Sequence, residues 1–272
     1  MLCDSLRSGL AKYGWFEQIL NRVDAAPKFI LEPAFALSVD QLSMDASDSL
    51  ERLMPFCRTP FPEIWVEFVH KDRKLFSEVP LRGWERVPDR VGFLITQIGD
   101  TCAHWKAHLF WSFGDQMNCS AGAMEFHELD ENFEIGSLDA DWVQGAPWAL
   151  RKMFQFSING DWQGEGRFLF AILALMNARN CSEQESVSMI RLNKRRAASG
   201  KTPLFDYRLL KVHSRVRKRI GEVVESKGFK KLRAHFVRGH FKVRKTGIYY
   251  WSPFVRGELK YGFADKDYRL AS

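Results

Sequence analysis

The chain has 272 residues, enough to bury a sizeable core as one large domain or two small ones. Its composition, 46% hydrophobic and 14% aromatic, excludes a disordered chain. The formal net charge of +7 conceals an asymmetry: residues 191–272 carry 23 Lys and Arg against 6 Asp and Glu, whereas residues 1–190 carry 17 against 27. A basic end of this kind points to a polyanion partner, although mutual neutralisation within one fold gives the same totals. The natural division is an acidic α+β part over 1–185 and a basic part over 186–272, or one continuous domain.

Cys3, Cys57, Cys102, Cys119 and Cys181 are widely spaced and form no CxxC pair. The pattern suggests neither a zinc ribbon nor a redox pair and fits reduced thiols of a cytoplasmic protein. The opening MLCDSLRSGLAKYGW lacks a secretory apolar core. The longest apolar run, Phe168 to Met176, is nine residues, about half a bilayer span. It reads as a buried helix, and no membrane partner is implied.

In chain order, Leu6, Leu10, Tyr13, Phe16, Leu20 and Val23 recur at helical spacing and predict one amphipathic helix. A short helix over Asp45–Met54 stops at Pro55. Residues 71–90, with Pro80 and Pro88, read as loop or edge structure. Ile64–His70, Val91–Ile98, Lys106–Phe113 and Ala121–Leu129 read as strands. Together they predict an α+β fold, mainly an antiparallel sheet with helices packed on one side. Residues 130–161 are acidic and broken by glycines. A helix follows over 166–179. Ser182 and Glu185 stand at capping-box spacing, which predicts a further helix running to Ser199 and stopping at Gly200. Phe205–Val212 reads as a strand, and a basic stretch over His213–Lys231 leads into a basic β-hairpin.

That hairpin lies in RAHFVRGHFKVRKTGIYYWSPFVRG, Arg233 to Gly257, where six aromatic residues interleave with cations. Alternation along a strand puts Arg238, His240, Lys242 and Arg244 on one face. With Thr246-Gly247 as the loop, Lys242 lies opposite Trp251 and Arg244 opposite Tyr249. Single-stranded nucleic acid is bound by such surfaces, with bases stacked on rings and phosphates met by cations. Tyr249, Tyr250 and Trp251 are the candidate stacking residues, and Arg256 adds a further cation. The same pattern also fits an edge hairpin held by cross-strand cation–π pairs. Arg191, Lys194 and Arg195 share a helix face and form a second candidate phosphate-tracking patch, or a solvated helix surface.

Ser199-Gly200-Lys201-Thr202 imitates the end of a phosphate-binding loop, but Arg195 stands where its first glycine belongs and Pro203 follows. His235 and His240 fall on opposite faces of one predicted strand. His104 and His108 share a strand face, and Asp139-Ala-Asp141 is an acidic loop with weak magnesium character. No spacing implies a catalytic group, a metal or a cofactor.

RLNKRRAASGKTPLFDYRLLKV (Arg191–Val212), AHFVRGHFKVRKTGIYYWSPFVRG (Ala234–Gly257) and DKDYRL (Asp265–Leu270) resemble a group of proteins encoded by tailed phages and prophages. These share an LNK-R---GK-PL segment, an RGH-K/R strand and a W-P--RG strand. TPFPEIWVEF (Thr59–Phe68) and VGFLITQ (Val91–Gln97) resemble their N-terminal strands. The resemblance implies a phage protein in the bacterial host cytoplasm and transfers no activity or functional residue. The expectation is a non-catalytic accessory protein that binds RNA or DNA. The alternatives are a modulator of a host defence or regulatory protein acting by protein–protein contact and, third, a nuclease around His240.

Overall fold

A computed structural model describes residues 1–43, 53, 56–73, 87–99, 104–126, 138–142, 145, 147–149, 151–152, 161–212, 233–237, 240–251, 254–256 and 258–263. Most of Asp45–Met54 and of the 71–90 and 130–161 segments, all of His213–Lys231, Arg238 and Asp265–Leu270 lie outside them.

The chain opens with α1 (Leu2–Leu10), a 3-10 turn (Gly14–Phe16) and α2 (Glu17–Ala25). One helix from Leu6 to Val23 is therefore not formed. The chain breaks around Gly14, a weak helix former, and folds back. Arg7 of α1 holds the pair together, donating to Glu17 and Asn21 at 2.9 Å and to Asp24 on α2. Leu6, Leu10, Phe16, Leu20 and Val23 are all buried in this folded-back arrangement, while Tyr13 at the bend is exposed.

The central elements are β1 (Lys28–Leu31), α3 (Pro33–Ser43), β2 (Glu63–Val69), β3 (Arg90–Gln97), β4 (Trp105–Phe113), β5 (Gln116–Cys119), β6 (Gly122–Phe126) and β7 (Leu138–Trp142). They are followed by α4 (Asp161–Asn177), β8 (Ser182–Val187), α5 (Ile190–Ala198) and β9 (Tyr207–Val212). The sheet order is β7-β6-β4-β3-β2-β1-β9-β8, with β5 added beside β4. Every pairing is antiparallel except those of β1, which runs parallel to both β2 and β9. A parallel pair needs a crossover, and α3 lies within the one between β1 and β2. The fold is α+β with a mostly antiparallel, partly mixed sheet.

Helices cover both faces of this sheet, not one. Ile64, Val66 and Phe68 of β2 join Val91, Phe93 and Ile95 of β3 in a core with residues of α3 and α4. The alternate residues Trp65, Leu94 and Phe110 join Leu2, Leu6, Leu10, Ile19, Leu20 and Val23 of α1 and α2 in a second core. Period-two alternation with both sets apolar is the signature of a sheet buried on both sides. Gly92 is required beneath Trp65, since a Cβ there would come within 2.3 Å of the indole.

Each face also buries charge. On the α1 side, Glu67 is fully buried and accepts from the Leu2 amide at 2.6 Å, the Cys3 amide at 3.2 Å, Trp65 Nε1 at 3.0 Å and Arg90 Nε at 2.8 Å. A carboxylate from β2 thus caps the N-terminal amides of α1 from 65 residues away. On the α4 side, buried Arg73 donates to Glu165 Oε1 at 2.6 Å and pairs with Asp40 Oδ1 at 3.5 Å, its guanidinium 4.0 Å from the Phe168 ring. His70, fully buried nearby in sequence, finds no hydrogen-bond partner for either ring nitrogen among the described residues. Burial, and then Arg73, push its pKa down to about 4.

Ser182–Val187 is an edge strand, not the start of a helix. Glu185 pairs with Lys211 on β9 instead of reaching back to an amide. The segment is polar and almost wholly exposed, as an edge strand that must not attract another chain. The helix begins eight residues later than expected, at Ile190.

The C-terminal part forms β10 (Arg233–Val237), β11 (His240–Arg244), β12 (Gly247–Trp251), β13 (Phe254–Arg256) and β14 (Glu258–Phe263). β13, β10 and β14 make a small sheet, and β11 with β12 makes the hairpin. The boundary at 185/186 falls inside β8, and β9 sits between β1 and β8, so the main sheet runs across it. Phe241, Ile248 and Tyr250 join the same core as β2 and β3. No described helix is long and apolar enough to cross a membrane. Cys3, Cys57, Cys119 and Cys181 are free thiols.

Candidate nucleic-acid interface

The hairpin pairs His240 with Trp251, Lys242 with Tyr249 and Arg244 with Gly247, closed by a Lys245-Thr246 loop. The expected register, with Lys242 facing Trp251, is two residues out. Gly247, at φ +127°, is the first residue of β12 and not part of the loop. A slip of two leaves every side chain on its expected face. The expected cation–aromatic contacts survive as diagonals: Lys242 Nζ lies 4.7 Å from the Trp251 ring and the Arg244 guanidinium 5.7 Å from the Tyr249 ring.

The other face is anchored. Phe241 (9% exposed), Ile248 (1%) and Tyr250 (4%) are buried in the main core, with the Phe241 and Tyr250 rings 5.1 Å apart. Tyr250 is therefore not a stacking residue: strand alternation turns its ring away from Tyr249 and Trp251. The chain after α4 grips β12 along its edge. Asn180 donates to the Tyr250 carbonyl at 2.8 Å and accepts from its amide at 2.9 Å, and the Arg179 amide donates to the Ile248 carbonyl at 3.2 Å.

This grip brings in a residue that sequence reasoning missed. The Arg179 Nε lies 3.0 Å from where a Cβ on Gly247 would stand. Arg179 thus covers the side-chain position that Gly247 leaves open. The Tyr249 phenol is held below its ordinary pKa, first by the Thr246 hydroxyl at 2.9 Å and then by Arg179 and Arg244. Nothing within a dozen residues of Arg179 hints at this contact, which depends on pairing across some 70 residues of chain.

The outer face therefore presents Arg179, Lys242, Arg244 and Thr246 exposed, beside half-buried Tyr249 and Trp251. None of these three cations makes an ion pair with a described carboxylate. The contrast with the acidic half is direct: Arg7, Arg22, Arg73, Arg90 and Lys106 are all paired.

The second patch is built on α5. Arg191, Lys194 and Arg195 are exposed on it. The helix stops at Gly200 (φ +66°), where the Gly200 amide donates to the Ala197 carbonyl at 3.0 Å and the Lys201 amide to the Arg196 carbonyl at 2.9 Å. That is a Schellman cap, which accounts for the Gly200-Lys201 pair without any phosphate. Asn193 ties the helix to its return segment through the Leu204 amide and carbonyl, both at 2.8 Å. Ile190 (63%) and Leu192 (43%) are exposed on the same helix.

The two patches stand apart. α5 follows the Val187–Tyr207 end of the β8–β9 ribbon, and Asn180 precedes the Ser182–Val212 end. Five strand steps separate those ends, about 17 Å. Arg256 is exposed on β13, opposite His235, in the small sheet. His240 stands opposite Trp251 by register. His235 and His240 belong to different strands in different sheets.

The other described histidines, His70, His104 and His108, lie in or beside the main sheet. His104 Nε2 lies 2.7 Å from Glu125 Oε1, and burial holds His108 down to about 3. Asp139 and Asp141 sit on edge strand β7, not in a loop. Among the described residues, no group of three or more His, Cys, Asp or Glu is arranged to hold a metal ion. The sequence matches no protein-family model and no curated protein.

Proposed function

We propose that the protein is a non-catalytic nucleic-acid-binding protein whose β11–β12 hairpin holds a single strand of RNA or DNA. The observation that carries this reading is the two-sidedness of the hairpin. One face is fixed in the core by Phe241, Ile248 and Tyr250, and the other offers two rings and three cations without described carboxylate partners. Tyr249 and Trp251 give two base-stacking positions two residues apart, and Lys242, Arg244 and Arg179 supply phosphate contacts around them. The resemblance of Arg191–Val212 and Ala234–Gly257 to phage and prophage proteins supports an accessory role in the cytoplasm of a bacterial host.

Binding of a short single-stranded oligonucleotide, measured across salt concentrations, tests the proposal. Three phosphate contacts give a log–log slope of about −2, so affinity falls about 20-fold for a fourfold rise in salt. A salt-independent or undetectable interaction at low salt overturns it. A second reading, contact with a host protein, is favoured by exposed Ile190 and Leu192 beside the cations of α5. Absence of any stable host complex counts against that second reading, and a complex that survives Ile190→Ser together with Leu192→Ser counts against α5 as its surface.

A further inference from the structure

The last row of the hairpin face differs from the two before it. Along β12, Trp251 and Tyr249 present rings, but the next position on that face is Gly247, and the Arg179 side chain covers it. A strand whose bases stack on Trp251 and then Tyr249 meets a cation there instead of a third ring. Beyond it the Lys245-Thr246 loop closes the hairpin. Two guanidiniums and two hydroxyls from four pieces of chain gather around this row, with one hydroxyl hydrogen spent on the bond between the hydroxyls. Arg179 comes from the chain just after α4, Arg244 from β11 opposite Gly247, Thr246 from the loop, and Tyr249, on β12, bonds Thr246 at 2.9 Å. Among the described residues no carboxylate stands against Arg179 or Arg244, so the row sets a pair of guanidiniums beside two hydroxyls.

We infer that this row is a subsite for a terminal phosphomonoester, so that the protein prefers the phosphorylated end of a single strand over an internal segment. The inference rests on the proposed nucleic-acid reading and adds the substrate class to it. An internal phosphodiester carries one charge and two free oxygens. A terminal monoester carries close to two charges and three free oxygens, which two guanidiniums and the one hydroxyl hydrogen not spent on the Thr246–Tyr249 bond match. The closed end of the hairpin is also where a strand laid along β12 has to stop or turn away.

The test uses short oligonucleotides of one sequence with a 5′-phosphate, a 3′-phosphate or hydroxyls at both ends. One phosphorylated form is expected to bind about tenfold more tightly than the hydroxyl-ended form, the worth of one added charge-assisted contact. The end that shows the preference fixes the strand polarity on the hairpin. Arg179→Gln is expected to erase the preference, and Thr246→Val, which leaves the α4 anchor intact, to reduce it. Equal affinity for all three oligonucleotides, or a preference unchanged in both variants, overturns the subsite while leaving the interface standing. Failure of every oligonucleotide to bind overturns the interface and the subsite with it.

Discussion

Tyr250 and Trp251 are adjacent in sequence and opposite in role, and substituting each in turn separates the two faces of the hairpin. Tyr250 is 4% exposed and packs on Phe241 in the main core. Tyr250→Ala removes a buried ring and leaves a cavity, at a cost of about 3–5 kcal/mol, the range for large aromatic truncations. Trp251 lies half-buried on the outer face under Lys242, 4.7 Å away. If it stacks on a base, Trp251→Ala costs about 1–3 kcal/mol of oligonucleotide affinity, or roughly 5- to 150-fold in Kd. Its effect on stability is expected to be well below that of Tyr250→Ala, because the core contacts of Phe241, Ile248 and Tyr250 remain. Urea unfolding and fluorescence-anisotropy titration on both variants supply the two numbers for each. A Trp251→Ala protein that binds like wild type but unfolds as readily as Tyr250→Ala refutes the reasoning. Trp251 would then be architecture, and the cation–π diagonals would serve only the hairpin.

Lys242→Gln is expected to flatten the salt slope by about 0.7, one single-strand contact, and a slope identical to wild type removes Lys242 from the interface. His70 has a folded pKa pushed down to about 4 from 6.5, so its contribution is complete above pH 6.5 and lost as pH falls toward 4. The loss is about 3 kcal/mol, and His70→Leu is expected to remove that part of the acid sensitivity in urea unfolding followed between those limits. Arg73→Met takes the cation from buried Glu165 and is expected to cost about 3–5 kcal/mol at neutral pH, read as a lowered unfolding midpoint. Glu67→Gln is expected to cost about 1.5–3 kcal/mol through weakened bonds to the Leu2 and Cys3 amides and Arg90, with hydrogen exchange rising first in α1.

Local patterns carried the strands well. Ile64–His70, Val91–Ile98 and Lys106–Phe113 alternate or run apolar over lengths that only a strand explains, and β2, β3 and β4 fall there within a residue. The second face of helices was hidden because Glu67 and Gly92 interrupt the apolar set that holds Trp65, Leu94 and Phe110: a glycine admits the indole, and a carboxylate meets a helix start. Ser182–Glu185 misled because the spacing of a capping box is also that of an exposed polar strand, and only pairing with β9 decides between them. At the site, the face shared by Lys242, Arg244, Tyr249 and Trp251 was legible from period two, which a register slip of two cannot alter. The burial of Tyr250 follows from the same alternation. Arg179 was not legible, because its place depends on Asn180 gripping β12 from the end of α4.

The most direct measurement is photocrosslinking of a 5-bromouracil-substituted single-stranded oligonucleotide, followed by identification of the crosslinked peptide. Crosslinks are expected at Tyr249 and Trp251, lost when excess unlabelled oligonucleotide is added. Crosslinks confined to the α5 peptide Ile190–Ala198, or spread over the surface without competition, would contradict the hairpin as the place where the strand lies.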